Sequence, residues 1–233
     1  MSSIAKNLQS VQQNIALFAE QAGRVPSSIQ LMAVSKTFDA EAVLAAVQAG
    51  QRVFGENYLQ EALDKIEAVR GLAPDVPLQW HFIGPIQSNK TRPIAEHFDW
   101  AHAVDREKIA HRLSEQRPPA LPPLNVCLQV NVSREDSKSG LAPDEVAGVA
   151  HQVAQLPRLR LRGLMAIPAP TDDVARQRAA FAQVRAVWEA LRADGLALDT
   201  LSMGMSGDMG AAIAEGATIV RIGSAIFGAR HYT

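Results

Sequence analysis

Cysteine is nearly absent from this chain. Its 233 residues include one, Cys127. No internal disulfide can form, so a reducing compartment, the cytoplasm, is expected. Cys127 sits in the apolar run Asn125 to Val132, where a cysteine serves as buried filler rather than as a nucleophile. An excess of one charge is missing too. Lys and Arg number 23 against 24 Asp and Glu, a net charge of −1. That balance gives no electrostatic reason to expect nucleic acid or an acidic membrane as partner. No run approaches the roughly 18 apolar residues of a membrane-spanning helix. The start, Met1 to Ile4 followed by Lys6, lacks an apolar signal core, so export is not expected. Low-complexity tracts and sequence-level repeats are lacking as well. His81, His97, His102 and His111 show no metal-ligand spacing, so no metal site is expected.

What is present is a 47% hydrophobic composition, enough for one domain over residues 1–233 with a sizeable core. Short strand-like runs alternate with helical patterns. The runs are Leu31–Lys36, Arg52–Asn57, Gln79–Gly84, Asp99–Val104, Leu124–Val132, Leu159–Ile167, Leu198–Leu201 and Thr218–Ile222. Before the first, Ile4, Leu8, Val11, Ile15 and Phe18 share one helical face, with Ser2 or Ser3 as cap and Gly23 as stop. Asn57 is placed to cap the helix carrying Leu59, Leu63, Ile66 and Val69, and Asp105 to cap the helix at Ile109–Leu113. A polar loop, Ser133–Gly140, precedes a helix opened by Pro143, Asp144 and Glu145; Thr171 to Asp173 start another, and a last one spans Asp208–Glu215. Strand–helix alternation at roughly 20- to 35-residue intervals is the mark of parallel βαβ units. About eight units predict an α/β fold, a single (β/α)8 TIM-type barrel with an extra N-terminal helix. An open doubly wound sheet is the alternative.

In such a barrel the chemistry lies at the carboxyl ends of the strands. The first run ends in Lys36. A lysine half in the core and half at the rim is either a partly desolvated amine able to form a Schiff base or a rim cation that snorkels to water. The last run ends in Gly223 and Ser224, beside the first once a barrel closes. Gly223 lets backbone approach a phosphate, and Ser206, where the helix after the seventh run begins, would meet the same anion. The plainer roles are a turn for Gly223 and a cap for Ser206. Arg221, in a mostly apolar mouth, needs a ring nitrogen or an acid as partner. Asn57 could reach a ring hydroxyl or cap its helix. His81 is a core histidine before it is a base, and Arg158, Arg160 and Arg162 mark a structural face at the start of their strand.

Five segments carry a family resemblance: Ala33–Lys36, Phe54–Tyr58, Trp80–Gly84, Ser202–Ser206 and Arg221–Gly228. Together they resemble the pyridoxal phosphate homeostasis protein family over nearly the whole chain. The resemblance implies the barrel of fold-type III enzymes, similar to the N-terminal domain of alanine racemase. It implies pyridoxal 5′-phosphate (PLP) carried as a Schiff base on Lys36. The phosphate would be held by Ser206, Gly223 and Ser224, and Arg221 would face the pyridine nitrogen. A cation there keeps that nitrogen unprotonated and weakens the electron sink that carbanion chemistry needs. The family is described as regulating PLP supply and affecting amino-acid and keto-acid balance, with no established catalysis; release to apo PLP-dependent enzymes is the expectation that the carrier reading adds. Two positions depart from its pattern: Gly207, often acidic, which could loosen the following helix, and Ser224, often threonine. A racemase also needs a second acid/base, and no β-domain is expected here to supply it or the usual dimer interface. A monomer is therefore expected, and Tyr58 is the only local candidate for that base. A slow racemase or related PLP enzyme, and a colourless Schiff-base aldolase, are the competing readings.

Overall fold

The computed structural model describes residues 2–133 and 139–229; most of the polar loop Ser133–Gly140 lies outside the described residues. Eight parallel strands close into a barrel in sequence order. They are β1 (Gln30–Val34), β2 (Val53–Glu56), β3 (Gln79–Phe82), β4 (Trp100–Val104), β5 (Leu124–Val130), β6 (Leu159–Ala166), β7 (Thr200–Ser202) and β8 (Ile219–Ile222). Closure is made by β8 against β1, in register from Gln30↔Ile219 to Ala33↔Ile222. The helices are α1 (Ser3–Gln21), α2 (Ala40–Gln48), α3 (Leu59–Leu72), α4 (Thr91–His97), α5 (Glu107–Gln116), α6 (Val146–Ala154), α7 (Val174–Ala193), α8 (Met209–Ala214) and α9 (Ser224–Phe227). This is the (β/α)8 TIM-type barrel that the alternation predicts, and not the open sheet.

The extra helix α1 begins at a Ser2 cap, whose hydroxyl accepts from the Ala5 N–H. Its apolar stripe buries Leu8, Val11, Ile15 and Ala19. The helix lies outside the barrel, against α8, α9 and α2. Gly23 follows it at φ 66°, a left-handed turn that a glycine adopts without strain. The main core fills the space between strands and helices. A smaller cluster of Met32, Val53 and Ile219, with Ile83 against it, forms separately. A Cβ on Gly55 would press on Met32 Sδ at 2.6 Å and on Ile83 at 3.2 Å. Side chains alternate along a strand, so Met32, Val34 and Lys36 share one side of the chain, and Ser35 takes the other.

Three local expectations are corrected. Helix α3 starts behind Tyr58, with no side-chain cap, so Asn57 does not cap it. Asp105 does not cap α5 either: the N-cap position is Arg106, and the Asp105 carboxylate is engaged by the Arg106 guanidinium at 2.6 Å. The seventh strand is Thr200–Ser202 rather than Leu198–Leu201. Leu198 is still in a tight turn, its N–H donating to the Leu196 carbonyl. Pairing is set by Gly163↔Thr200 and Met165↔Ser202. At Gly163 a Cβ would collide with the Thr200 carbonyl, so only glycine allows that approach. Helix α6 starts at Val146, and Glu145 closes the preceding turn by accepting from the Ala142 N–H.

Candidate functional site

A cavity of about 280 Å³ opens at the carboxyl ends of the strands. Its wall includes Lys36, Asn57, Ser206, Arg221, Gly223 and Ser224. These residues come from the ends of β1, β2 and β8 and the segment after β7. The rest of the lining is largely apolar: Val34, Ile83, Met165, Ile167 and Met205. A second cavity of about 340 Å³ shares Asn57, Ile83 and Ile167 and continues toward Gln129, Asn131 and Ser139. The mouth is therefore broad on the β5 side. Tyr58 is 52% exposed and is not among the residues lining either cavity.

Lys36 is half-buried. The next residue, Thr37, has φ 68°, a conformation that a β-branched residue rarely takes. Behind this turn lies a network that the sequence did not suggest. The Lys65 ammonium of α3 donates to the Ser35 carbonyl at 2.7 Å, to Glu56 Oε1 at 2.7 Å and to Glu61 Oε1 at 2.9 Å. The Ser35 hydroxyl donates to Glu56 Oε1 at 2.6 Å, and the Thr37 N–H donates to Glu61 Oε1 at 2.7 Å. Ser35, Glu56 and Lys65 are all buried. Burial pushes the Glu56 carboxyl above its ordinary value, against the pull of Lys65 and Ser35. A signal for Lys65 was available. It falls among Ala62, Ile66 and Val69 on the buried stripe of α3, where a lysine must find a partner.

Arg221 is 4% exposed. Its Nη1 donates to the Ser202 carbonyl at 2.7 Å and to Ser202 Oγ at 2.9 Å, and its Nη2 donates to the Ala166 carbonyl at 2.8 Å. The partner expected of it is thus backbone and a hydroxyl, not an acid. Burial lowers its pKa to about 10, so it remains a cation at neutral pH. Ser202 Oγ in turn lies 2.9 Å from His102 Nδ1, and His102 Nε2 lies 2.9 Å from His81 Nδ1. A guanidinium only donates. The assignment leaving fewest groups unpaired sends the Ser202 proton to His102 and the His102 Nε2 proton to His81. His81 Nε2 then has no partner among the described residues. Burial, with Arg162 nearby, lowers His81 to about 3. It is a neutral core histidine, as expected, with one nitrogen satisfied. Ser202 and His102 were not singled out from sequence, and their partnership spans residues far apart in the chain.

Beside Arg221, whose backbone N–H donates to the Gly204 carbonyl at 2.9 Å, the segment after β7 is pinned by Asp208. The Met205 N–H donates to Asp208 Oδ1 at 2.6 Å, and the Asp208 N–H returns to the Met205 carbonyl. Ser206 and Gly207 stand exposed between them. Helix α8 begins after Asp208, so Ser206 is not its cap and Gly207 is not inside it. A Cβ on Gly223 would meet the Val34 carbonyl at 3.2 Å, so bare backbone lets the end of β8 lie close against β1. Gly223 occupies the N-cap position of α9, whose first N–H groups have no intrahelical acceptor. Asn57 Oδ1 is buried without a hydrogen-bond partner among the described residues. An amine, a buried cation, an unpartnered amide oxygen and an exposed hydroxyl–backbone cradle thus converge on one cavity. That donor set fits a flat polar ring bearing an aldehyde and an anionic tail. Away from the mouth, Arg162 forks onto Asp199 and lies over the Trp100 ring at 4.6 Å, the structural role expected of it. Cys127 is wholly buried, its thiol pushed up to about 12. Among the described residues no three His, Cys, Asp or Glu side chains gather as a metal site, and no helix is long and apolar enough to cross a membrane.

The family described as alanine racemase, N-terminal domain, matches residues 7–231. The alanine racemase of Corynebacterium glutamicum shares the fold, at 18% identity and a TM-score of 0.69 over 97% of this chain and 61% of its own. Fold and mouth together define a barrel of this type. A protein of Pseudomonas aeruginosa named pyridoxal phosphate homeostasis protein is 63% identical, covering 100% of this chain and 98% of its own length. The Escherichia coli protein of that name is 54% identical, covering 100% and 99%. PipY of Synechococcus elongatus PCC7942, solved with PLP bound, is 39% identical with a TM-score of 0.82, covering 97% of this chain and 100% of its own. The chain belongs to the pyridoxal phosphate homeostasis protein family.

Proposed function

We propose that this chain, as one barrel domain and a monomer, binds PLP in the mouth cavity and serves its supply in the cytoplasm, with apo PLP-dependent enzymes as recipients. Lys36 holds the aldehyde carbon as a Schiff base, with loss of water. Ser206, Gly223 and Ser224 hold the phosphate, Arg221 faces the ring nitrogen, and Asn57 takes the ring hydroxyl. The observation that carries this reading is that all six residues, drawn from opposite ends of the sequence, line one cavity. The relatives' names and the PLP-bound PipY structure support the ligand. When bound, PLP supplies an electrophilic carbon and, where its ring is protonated, an electron sink. Arg221, a cation at neutral pH, opposes that ring protonation, which favours carriage over catalysis.

The test is to load the purified protein with PLP, reduce with borohydride, digest and locate the label by mass spectrometry. The yellow colour should bleach and the label should fall on Lys36, vanishing in Lys36→Ala. A label elsewhere, or none, overturns the assignment. Sustained racemisation of L-alanine or L-serine that is lost in Lys36→Ala would overturn the carrier role and leave the Schiff base standing.

A further inference from the structure

The two peptide groups that flank Lys36 are held by one ion pair from a neighbouring helix. The carbonyl before it, that of Ser35, accepts from the Lys65 ammonium. The N–H after it, that of Thr37, donates to the Glu61 carboxylate. Lys65 and Glu61 are themselves joined at 2.9 Å, one turn apart on α3. Beneath them the Glu56 carboxylate at the end of β2 binds both Lys65 and the Ser35 hydroxyl. Every one of these contacts lies on the helix side of β1, while Lys36 lies on the cavity side.

Thr37 explains why such a clamp is needed. Its φ of 68° is a left-handed conformation. A non-glycine residue held there costs on the order of 1 kcal/mol or more, and it persists only where its surroundings fix it. The turn itself is closed by the Phe38 N–H donating to the Ser35 carbonyl at 3.1 Å, and the Thr37 N–H bond to Glu61 ties it to α3. Without that bond the turn loses its tie to α3 on the far side of Lys36, and the peptide after Lys36 can tilt, turning the Lys36 side chain with it. Glu61 is partly exposed, whereas Lys65 and Glu56 are nearly inaccessible. The outer carboxylate can therefore be removed without stranding a buried charge.

We propose that Glu61 and Lys65 are positioning residues for the Lys36 amine, aiming it at the aldehyde carbon without touching the ligand. This inference rests on the Schiff-base reading above. It implies that the clamp governs bond formation to Lys36 and not the grip on ring and phosphate. The two are separable by comparing PLP with pyridoxine 5′-phosphate, which keeps the ring and phosphate but has no aldehyde.

The experiment measures, for wild type, Glu61→Ala and Glu61→Gln, borohydride-trapped label on Lys36 as a function of PLP concentration. It also measures the affinity for pyridoxine 5′-phosphate. Loss of one charge-assisted hydrogen bond predicts that Glu61→Ala needs about tenfold more PLP for half-maximal labelling. Affinity for pyridoxine 5′-phosphate should stay within about twofold. Glu61→Gln, which keeps an acceptor oxygen, should label near wild type. Equal losses for both ligands would show general loosening and overturn the proposal, as would unchanged labelling in Glu61→Ala. Failure of the wild type to label Lys36 would instead sink the Schiff-base reading, and this one with it.

Discussion

Two buried polar networks reach the mouth of the barrel, one behind Lys36 and one beneath Arg221, and they are made of different materials. The outer one is ionic: Glu56, Lys65 and Glu61 surround the Ser35 backbone in the layer between strands and α3. The inner one, below the mouth cavity, is a file of neutral groups, His81, His102 and Ser202, ending on a single cation. The difference follows from what each can reach. Helix α3 brings a flexible lysine stem to a carboxylate, so charge meets charge. The file beneath Arg221 offers short side chains and strand carbonyls, so its one charge is spread over backbone and hydroxyl oxygens. Burial keeps the two imidazoles neutral; His102, like His81, is held well below its ordinary value.

That contrast predicts unequal consequences of deletion. The largest effect should come from Lys65→Met. It leaves Glu56 buried with only the Ser35 hydroxyl on Oε1 and no opposing charge, and Glu56 Oε2 already lacks a partner among the described residues. Denaturant unfolding should show a loss of about 3–5 kcal/mol. Replacing both partners, Lys65→Met with Glu56→Leu, should restore more than half of it, because no stranded charge remains. If the double variant is no more stable than the single, the outer network is not held together by charge pairing.

Acid should act on the inner network next. His81 titrates near 3 in the fold against 6.5 when unfolded. Between those values the unfolded chain binds the extra proton, so stability present above pH 6.5 is lost as pH falls toward 3. At pH 5 the loss from His81 alone is about 2 kcal/mol, and His102 adds in the same direction. Glu56 runs the other way. Its folded pKa is raised, so the folded chain takes up that proton first, and acid relieves a buried charge instead of creating one. Urea titrations at pH 7 and pH 5 should show the drop in wild type and a flatter profile in His81→Phe. An unchanged profile would mean that the imidazoles are not the acid-sensitive part.

A smaller loss is expected from Ser202→Ala. It removes the hydroxyl that joins Arg221 to His102, but Arg221 keeps the Ser202 and Ala166 carbonyls. About 1 kcal/mol of stability should go, measured by denaturant midpoint. A loss as large as that of Lys65→Met would erase the distinction between the networks.

Legibility in the sequence divides along the same line. The barrel could be read because each strand–helix unit announces itself locally, in apolar runs stopped by Gly, Pro and polar caps. The six mouth residues could be named because barrel topology puts strand ends together. Both networks escaped because they depend on pairing across elements. His102 and Ser202 lie 100 positions apart and meet only across the closed barrel. Lys65 showed a lysine on an apolar helical stripe, but nothing local said that its partners were Glu56 and the Ser35 carbonyl. Asn57 and Asp105 looked like caps from composition. Register decided otherwise, sending Asn57 to the cavity and placing Arg106 at the N-cap position of α5.

The weakest effect concerns Gly207. From sequence alone this glycine stood at the start of a helix and threatened to loosen it. In the fold, α8 begins at Met209 with Asp208 at its N-cap position, and the turn before it is already closed by Met205 and Asp208. A Cβ on Gly207 meets nothing within 4 Å, and its φ is not in the left-handed region. Alanine can therefore take the same backbone, and its main effect falls on the unfolded chain, which loses freedom. Gly207→Ala should stabilise by about 0.4–1 kcal/mol, measured by denaturant midpoint. A loss of stability instead would mean that the chain between Ser206 and Asp208 needs the backbone freedom of a glycine. The cradle would then rest on its backbone, unlike the side-chain networks behind Lys36 and Arg221.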